Sequence, residues 1–301
     1  MPKPNFFIVG APKCGTTALS HYLRDHQNVF ISAPKEPHYF ATDIPRYRIV
    51  STEEDYYKLF DDANDKHLAI GDASVLYLYS NEAIQNIHEF DPNAKIIAMF
   101  RNPADLVYSM HSQLIYSRDE NEEDFGKAWE LTEQRKNGDC VPHLCRDEKV
   151  LYYDEIAKMG EQLESLLSIF PQSQIKVIFF EDFVKNTHQV YSDVLEFLGL
   201  PDDHRTEFPR INENKQHRFD WLANFTERVP NKLVAAGSVV KRMLGLKSMA
   251  FILIALRKLN MNKLERKPLN DQLRIQILQS YHGDIAKLSQ LTGKDLSHWL
   301  V

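Results

Sequence analysis

The chain begins with an apolar run that leads into a glycine-bounded loop, and no other feature constrains its fold as strongly. Phe6–Val9 is followed by Gly10-Ala-Pro-Lys-Cys-Gly-Thr-Thr17 and then by a helix-like segment over 18–23. A strand, a short loop and a helix N-terminus form an anion cradle, because free backbone N–H groups and the positive end of the helix dipole converge there. The pattern therefore predicts a site for a phosphate-type group.

The position of the lysine narrows the choice of ligand. Loops that hold a nucleoside triphosphate carry lysine directly after their second glycine. Gly10 and Gly15 have the spacing of such a loop, but Thr16 occupies the lysine position and Lys13 lies inside the loop. We therefore expect a ligand other than a triphosphate. A P-loop small-molecule kinase, which would need lysine after Gly15 and a carboxylate for magnesium, is the alternative that this pattern disfavours.

Length and charge exclude some functions. A chain of 301 residues is long enough for one large α/β domain with a sizeable core. It contains 36 Lys and Arg against 42 Asp and Glu, a net charge of -6, whereas nucleic-acid-binding proteins usually carry a basic surplus. We therefore expect no nucleic-acid partner. Because we find no internal repeat, low-complexity segment or Gly/Ser linker, we predict a single domain over residues 1–301.

The terminus and the hydropathy pattern predict no membrane-spanning segment. Residues 2–5 lead directly into the first apolar run, which we interpret as the absence of a signal peptide. The longest apolar run, Met249–Leu256, is too short to span a bilayer, which takes about 20 residues.

The cysteines favour a reduced, cytoplasmic compartment. Cys14, Cys140 and Cys145 are an odd number and show no C-x-x-C spacing. The segment Cys140-Val-Pro-His-Leu-Cys145 has two interpretations, a metal site or a loop with buried thiols. The second is favoured because no further pair of ligands stands nearby.

Short apolar runs alternate with helical patterns along the chain. The candidate strands are nearly continuous in apolar character, which is typical of strands buried on both faces of a parallel sheet; they are Phe6–Val9, Leu68–Ile70, Lys95–Phe100 and Ile175–Phe180. The candidate helices are Ser51–Phe60, which a capping box opens, Pro103–Ser117, Asp154–Ile169 and Val190–Leu198, which Gly199 ends. The alternation predicts an α/β fold with a doubly wound, mostly parallel sheet flanked by helices and a P-loop-like loop after the first strand.

The segment 231–267 is rich in cations and apolar residues. It contains nine Lys and Arg and a single acid, Glu265. One interpretation is a lid or acceptor-facing surface that contacts a membrane or an anionic partner. The other is a pair of amphipathic helices that pack on the domain with solvated basic faces.

A second anion site is indicated at the end of the third candidate strand. Arg101 stands there, at the edge where doubly wound sheets bind ligands. Ser109 lies two turns into the following helix, where its hydroxyl can bind the same anion as the planar Arg101 guanidinium. Taken alone, this pair is equally explained by a structural salt bridge.

Together these motifs resemble those of sulfotransferases that use phosphoadenosine phosphosulfate (PAPS). Pro12–Thr17 is similar to the family's 5′-phosphosulfate loop, and Arg101…Ser109 is similar to its 3′-phosphate site. Lys35-Glu-Pro-His-Tyr-Phe40 resembles the segment that carries the catalytic base in the heparan-sulfate and bacterial branches. The tail, which ends in Leu291-Thr-Gly-Lys-Asp-Leu-Ser-His-Trp299, also resembles the bacterial and carbohydrate-type pattern, so the likeness covers nearly the whole chain.

The resemblance implies two anion sites, since PAPS carries a 5′-phosphosulfate and a separate 3′-phosphate. The loop residues Lys13, Cys14, Gly15, Thr16 and Thr17 would hold the first group, with Lys13 stabilising the charge of the leaving phosphate, and no metal would be required. Arg101 and Ser109 would hold the 3′-phosphate. Lys215 and Arg218 lie where the family's late loop closes over this phosphate, although a solvated charged loop explains them equally well.

The acceptor hydroxyl or amine needs a general base, and the resemblance points to Glu36 first and His38 second. They are one strand period apart, so a strand would place them on the same face. The alternatives are an ion pair of Glu36 with Lys35 or Lys13, and a packed loop histidine.

The chain departs from the heparan-sulfate pattern after the second candidate strand. That branch has an acid, then Lys-Thr-Pro, where this chain has Asp72-Ala-Ser-Val75. The missing lysine favours a small acceptor, such as a sugar, a lipid-linked sugar or a secondary metabolite, and Asp72 and Ser74 are candidates to line its pocket. A catalytically silent phosphoadenosine-binding module is a further alternative.

Overall fold

The computed structural model describes residues 2–211, 215–217, 261–263 and 267–300. Five strands lie at its centre: β1 Phe6–Gly10, β2 Val29–Ile31, β3 Ala69–Ala73, β4 Lys95–Phe100 and β5 Ile175–Phe179. They form one sheet with the order β2-β3-β1-β4-β5, in which every neighbouring pair is parallel. The predicted α/β fold with a doubly wound, mostly parallel sheet flanked by helices is confirmed.

Helices connect these strands and follow them. In chain order they are α1 Thr16–Arg24, α2 Glu53–Lys58, α3 Ala83–Phe90, α4 Pro103–Ser117, α5 Phe125–Glu130, α6 Thr132–Lys136, α7 Tyr153–Ile156, α8 Met159–Ile169, α9 Phe180–Lys185, α10 Thr187–Leu198, α11 Asp271–Ser280 and α12 His282–Thr292. Single 3-10 turns occupy Pro45–Tyr47, Glu148–Leu151, Gln172–Gln174 and Ser297–Leu300.

The first strand is the central one, and its position places the phosphate loop. β1 lies between β3 and β4, and the chain crosses from one side of β1 to the other between these two strands. The carboxyl ends of β1 and β4 therefore meet at the switch point where doubly wound sheets bind ligands. All residues of β1 are buried, and so are those of β4 except the half-buried Lys95.

The strand predictions are correct for β1, β4 and β5, apart from a residue at an end. The predicted strand Leu68–Ile70 is wrong in its bounds, because β3 covers Ala69–Ala73 and the Leu68 side chain is 58% exposed. β2 was not predicted. At three residues, Val29–Ile31 is too short to show a periodicity of its own.

Of the helix predictions, Pro103–Ser117 is confirmed residue for residue. The predicted helix Asp154–Ile169 is two helices, α7 and α8, separated at Ala157 and Lys158. The first predicted helix is shorter than expected at both ends. Thr52 rather than Ser51 caps it by accepting a hydrogen bond from the Asp55 backbone N–H at 3.2 Å, and it ends at Lys58.

Most of the basic segment 231–267 lies outside the described residues. Residues 261–263, which one of the two interpretations made helical, form a short strand, β7 Met261–Lys263, paired antiparallel with β6 Lys215–His217. Among the helices that the structure describes, none has both the length and the apolar character needed to cross a bilayer.

Candidate active site

The loop between β1 and α1 can form only with glycine at two positions. Gly10 has φ 142°, and a Cβ atom there would lie 2.6 Å from the Val75 carbonyl oxygen. Gly15 has φ 91°, and a Cβ atom there would approach the rings of Phe180 and Phe183 to 3.2 Å. These contacts explain why the loop is bounded by two glycines.

Backbone N–H groups are available at the start of α1. Gly15 is the N-cap of this helix, and no side chain caps it. The N–H groups of Gly15, Thr16 and Thr17 donate no hydrogen bond to any acceptor in the described part of the chain. A nine-residue helix that begins this way is suited to bind an anion.

The remaining loop residues differ in what they can contribute. The Cys14 side chain is fully buried below the loop and contacts the Pro12 carbonyl oxygen at 3.4 Å, and burial raises the pKa of its thiol. Only the Cys14 backbone can therefore face a ligand. Lys13 is half-buried, and its Nζ lies 3.5 Å from Oε1 of Gln113 on α4.

Arg101, at the end of β4, is tied to the loop itself. Its Nη1 donates a hydrogen bond of 3.1 Å to the Lys13 carbonyl oxygen. Its guanidinium carbon lies 4.5 Å from the centre of the Phe180 ring. The two predicted anion sites are therefore one connected surface, with Phe180 beneath Arg101 and against Gly15.

Phe180 was not singled out from the sequence. Its position directly after β5 could have pointed to the site, because the carboxyl ends of all parallel strands meet at the same edge of the sheet.

Ser109 is buried on α4, and the start of this helix is anchored by the tail. The Asn102 side chain caps α4 by accepting a hydrogen bond from the Ala104 backbone N–H at 3.0 Å. Asn102 Nδ2 also donates to the Trp299 carbonyl oxygen at 3.1 Å, and Trp299 is buried. The distant tail thereby fixes the junction that carries Arg101 and Ser109.

The other predicted cofactor contacts fall in the late loop. The strand that begins at Lys215 lies beside α4, the helix that carries Ser109. Arg218 lies outside the described residues.

Glu36 and His38 are neighbours, but not for the predicted reason. The segment is a loop rather than a strand, and both residues have left-handed backbones, with φ 66° at Glu36 and 51° at His38. Their side chains nevertheless approach each other, with 3.7 Å between Glu36 Oε2 and His38 Nε2. Lys35 also forms an ion pair with Glu36, so the alternative of an ion pair with Lys35 describes the geometry as well.

The two candidate bases differ in access to solvent. The His38 side chain is only 4% exposed, whereas that of Glu36 is 37% exposed. Burial would raise the pKa of Glu36, but the interactions with His38 and Lys35 outweigh burial and lower the pKa to about 2. Glu36 is therefore an ionised carboxylate at neutral pH.

A buried polar network contacts and stabilises the loop that carries Glu36 and His38. Ser74 Oγ accepts a hydrogen bond from the His38 backbone N–H at 3.0 Å and donates to Asp72 at 2.7 Å. The hydroxyls of Tyr56 and Tyr77 also donate to Asp72. Asp72 and Ser74 are completely buried, so the expectation that they line an acceptor pocket was wrong; they hold the loop in place.

The segment between Cys140 and Cys145 fits neither interpretation fully. Cys140 is exposed and Cys145 is buried. Within the described ranges, no three His, Cys, Asp or Glu side chains are grouped so that they could hold a metal ion.

Comparison with known proteins identifies the family. The protein-family model of the sulfotransferase domain matches residues 3–230 of this chain. The chain belongs to the sulfotransferase family. This sulfotransferase is similar to the crystal structure of a sulfotransferase from Alicyclobacillus acidocaldarius, with a TM-score of 0.73 and 26% sequence identity over 99% of both chains.

Curated relatives match over a smaller share of their own length. Human carbohydrate sulfotransferase 15 is 28% identical over 247 residues, which cover 65% of this sulfotransferase and 44% of that protein. The human bifunctional heparan sulfate N-deacetylase/N-sulfotransferase 3 is 24% identical over 228 residues, which cover 74% of this chain and 24% of that protein. The chain thus spans less than half of the length of these relatives.

Proposed function

We propose that this sulfotransferase moves the sulfuryl group of PAPS to a hydroxyl or amine of a small-molecule or carbohydrate acceptor. The observation that carries the proposal is the hydrogen bond between Arg101 and the Lys13 carbonyl oxygen. It joins a loop with free N–H groups to an arginine at the adjacent strand end, which suits a ligand with two separate phosphate groups. The names of the curated relatives support a carbohydrate acceptor.

The described residues offer binding groups for both phosphate ends of such a donor. The backbone N–H groups of Gly15, Thr16 and Thr17, with the two threonine hydroxyls, would hold the 5′ end. Arg101 and the buried Ser109 would hold the 3′-phosphate. When bound, PAPS would supply a sulfuryl group on a leaving phosphate. The sulfur would bond to the acceptor oxygen or nitrogen as its bond to this phosphate breaks, and the acceptor would lose a proton.

Lys13 and Glu36 have separate tasks in this proposal. The Lys13 ammonium stabilises the negative charge that develops on the leaving phosphate. The Glu36 carboxylate takes the acceptor proton, because it is ionised and partly exposed. His38, whose Nε2 lies 3.7 Å from Glu36 Oε2, positions this carboxylate and stays the second candidate for the base.

The first test is calorimetric binding of phosphoadenosine phosphate (PAP), the desulfated product, beside AMP and ATP. We expect PAP to bind about 10- to 150-fold more tightly than AMP, since hydrogen bonds to a charged group contribute about 1.5–3 kcal/mol. Arg101→Ala should remove this preference. Arg48→Ala is the matched control, because Arg48 also stacks on an aromatic ring, Tyr39, but makes none of the contacts described above with the Gly10–Thr17 loop. Equal or tighter binding of ATP would overturn the proposal and favour the kinase alternative.

A second prediction concerns Phe180. Phe180→Leu should weaken PAP binding by about 2- to 30-fold, as expected for the loss of a cation–π contact worth about 0.5–2 kcal/mol. AMP binding should change little, whereas Phe180→Tyr should retain PAP binding. The same calorimetric titration measures all three. If AMP and PAP weaken equally, Phe180 supports the loop at Gly15 rather than Arg101.

A further inference from the structure

A rigidly held arginine lies beside the loop that carries the candidate base. The guanidinium carbon of Arg146 lies 4.0 Å from the centre of the Tyr47 ring, and Arg146 Nη2 donates to the Tyr47 hydroxyl at 3.2 Å. The Tyr47 ring in turn meets the His38 ring edge-on, with 6.3 Å between the ring centres. A single aromatic ring thus separates Arg146 from the Glu36–His38 pair.

A buried carboxylate fixes the orientation of this arginine. Asp119 is completely buried and accepts hydrogen bonds from Arg146 Nε at 3.1 and 3.2 Å, from the Arg146 backbone N–H at 2.8 Å and from Nη2. Burial alone would raise the pKa of Asp119. The hydrogen bonds and the charge of Arg146 outweigh burial and hold this pKa below its ordinary value. The pair is therefore ionised at neutral pH.

Part of the Arg146 guanidinium is accessible to a ligand. The Arg146 side chain is 41% exposed, although one of its faces covers Tyr47. No residue in the described ranges accepts a hydrogen bond from Nη1. The exposed Arg46 donates to the Arg146 carbonyl oxygen at 3.3 Å and so places a second cation nearby.

Such a group is suited to recognise an oxyanion. A guanidinium presents its N–H groups in a planar fork that matches carboxylate and sulfate oxygens and is more weakly hydrated than an ammonium. Because Asp119 and Tyr47 already fix its rotamer, binding costs little side-chain entropy. Asp119 also offsets part of the positive charge, so the geometry favours a single anionic group over a polyanion.

We propose that Arg146 is a specificity residue that binds a carboxylate or sulfate group of the acceptor, close to the hydroxyl or amine that is sulfated. This inference rests on the proposed function, because it assumes that the acceptor lies at Glu36. It specifies the acceptor as an anionic sugar or a comparably small anionic molecule. It also names Arg146 as the residue that binds the anionic group.

The test uses three small sugars and the protein saturated with PAP. Methyl β-D-glucoside is neutral, methyl β-D-glucuronide carries a carboxylate, and glucose 6-sulfate carries a sulfate. We expect at least one anionic sugar to bind about tenfold more tightly than the glucoside, as for one charge-assisted contact. The double variant D119N/R146Q, which leaves no buried carboxylate without its partner, should reduce this preference to less than twofold. Arg205→Gln is the matched control and should retain it, because Arg205 also pairs with an aspartate, Asp25, and lies over a tyrosine ring, Tyr22.

The outcomes separate this inference from the donor site. Failure of PAP to bind the wild-type protein contradicts the proposed function. If PAP binds but neither anionic sugar is preferred, or if the double variant keeps the preference, the role of Arg146 is wrong. Should the double variant not fold, Arg146→Lys keeps a cation for Asp119 but loses the fork, and it should still lower the preference at least threefold.

Discussion

Replacing Lys13 with alanine is expected to lower kcat by about 100- to 1,000-fold, the range found when one donor to a developing negative charge is removed. The expected effect on PAP binding is smaller, because the N–H groups at the start of α1 and Arg101 remain in place. Release of PAP from PAPS, with an acceptor found by screening, measures kcat, and calorimetry measures PAP binding.

Controls for this variant are available in the chain. Lys58→Ala removes two surface ion pairs on α2, with Glu54 and Asp55, and should leave kcat unchanged. Gln113→Ala removes one neighbour of Lys13 Nζ, on α4, without removing the ammonium. If Lys13→Ala turns over PAPS as fast as the wild type, Lys13 is not the group that stabilises the leaving phosphate. A wild-type protein that binds PAP and shows no turnover would favour the silent binding module.

Glu36→Gln is expected to lower kcat by about 100- to 10,000-fold, the usual contribution of a general base. Because the pKa of Glu36 is about 2, its protonation should produce no loss of activity between about pH 5 and pH 8 in the wild type. A pH profile of kcat/KM for both proteins measures this. Glu54→Gln on the exposed surface of α2 is the matched control. Full activity of Glu36→Gln would exclude Glu36 as the base.

The lowered pKa of Glu36 also leads to a prediction about the stability of the folded protein. The pKa of Glu36 is lower in the folded protein, about 2, than its ordinary value of 4.5. The carboxylate therefore contributes stability above about pH 4.5, and this contribution is lost as the pH falls towards 2. The difference in free energy of unfolding between the wild type and Glu36→Gln should shrink over this range in urea denaturation. A difference that stays constant over this pH range would contradict the ionised pair with Lys35.

The features that sequence reasoning identified correctly are local. β1 and its loop are recognisable because a continuous apolar run, two glycines and a helix start stand next to one another. The bounds of α4 follow from Pro103 at its first position and the helical pattern to Ser117. Single-domain organisation over residues 1–301 and a cytoplasmic location stay predictions.

The features that it missed depend on contacts between distant residues. Glu36 and His38 were chosen correctly as neighbours, but a strand was assumed where left-handed backbones bring the side chains together. The stacking of Phe180 under Arg101 and the anchoring of Asn102 by Trp299 join elements that only the folded sheet edge brings together. No periodicity in the sequence encodes such pairs.

The central position of β1 has a consequence for biosynthesis. During synthesis β1 and its loop precede both of their neighbours in the sheet, β3 and β4. Arg101 follows Lys13 by 88 residues, and Trp299 follows Asn102 by a further 197. Domains fold largely as units once their parts are synthesised. The loop at Lys13 therefore stays without its partners until Arg101 and Trp299 have been synthesised, and we expect PAP to bind only after that point.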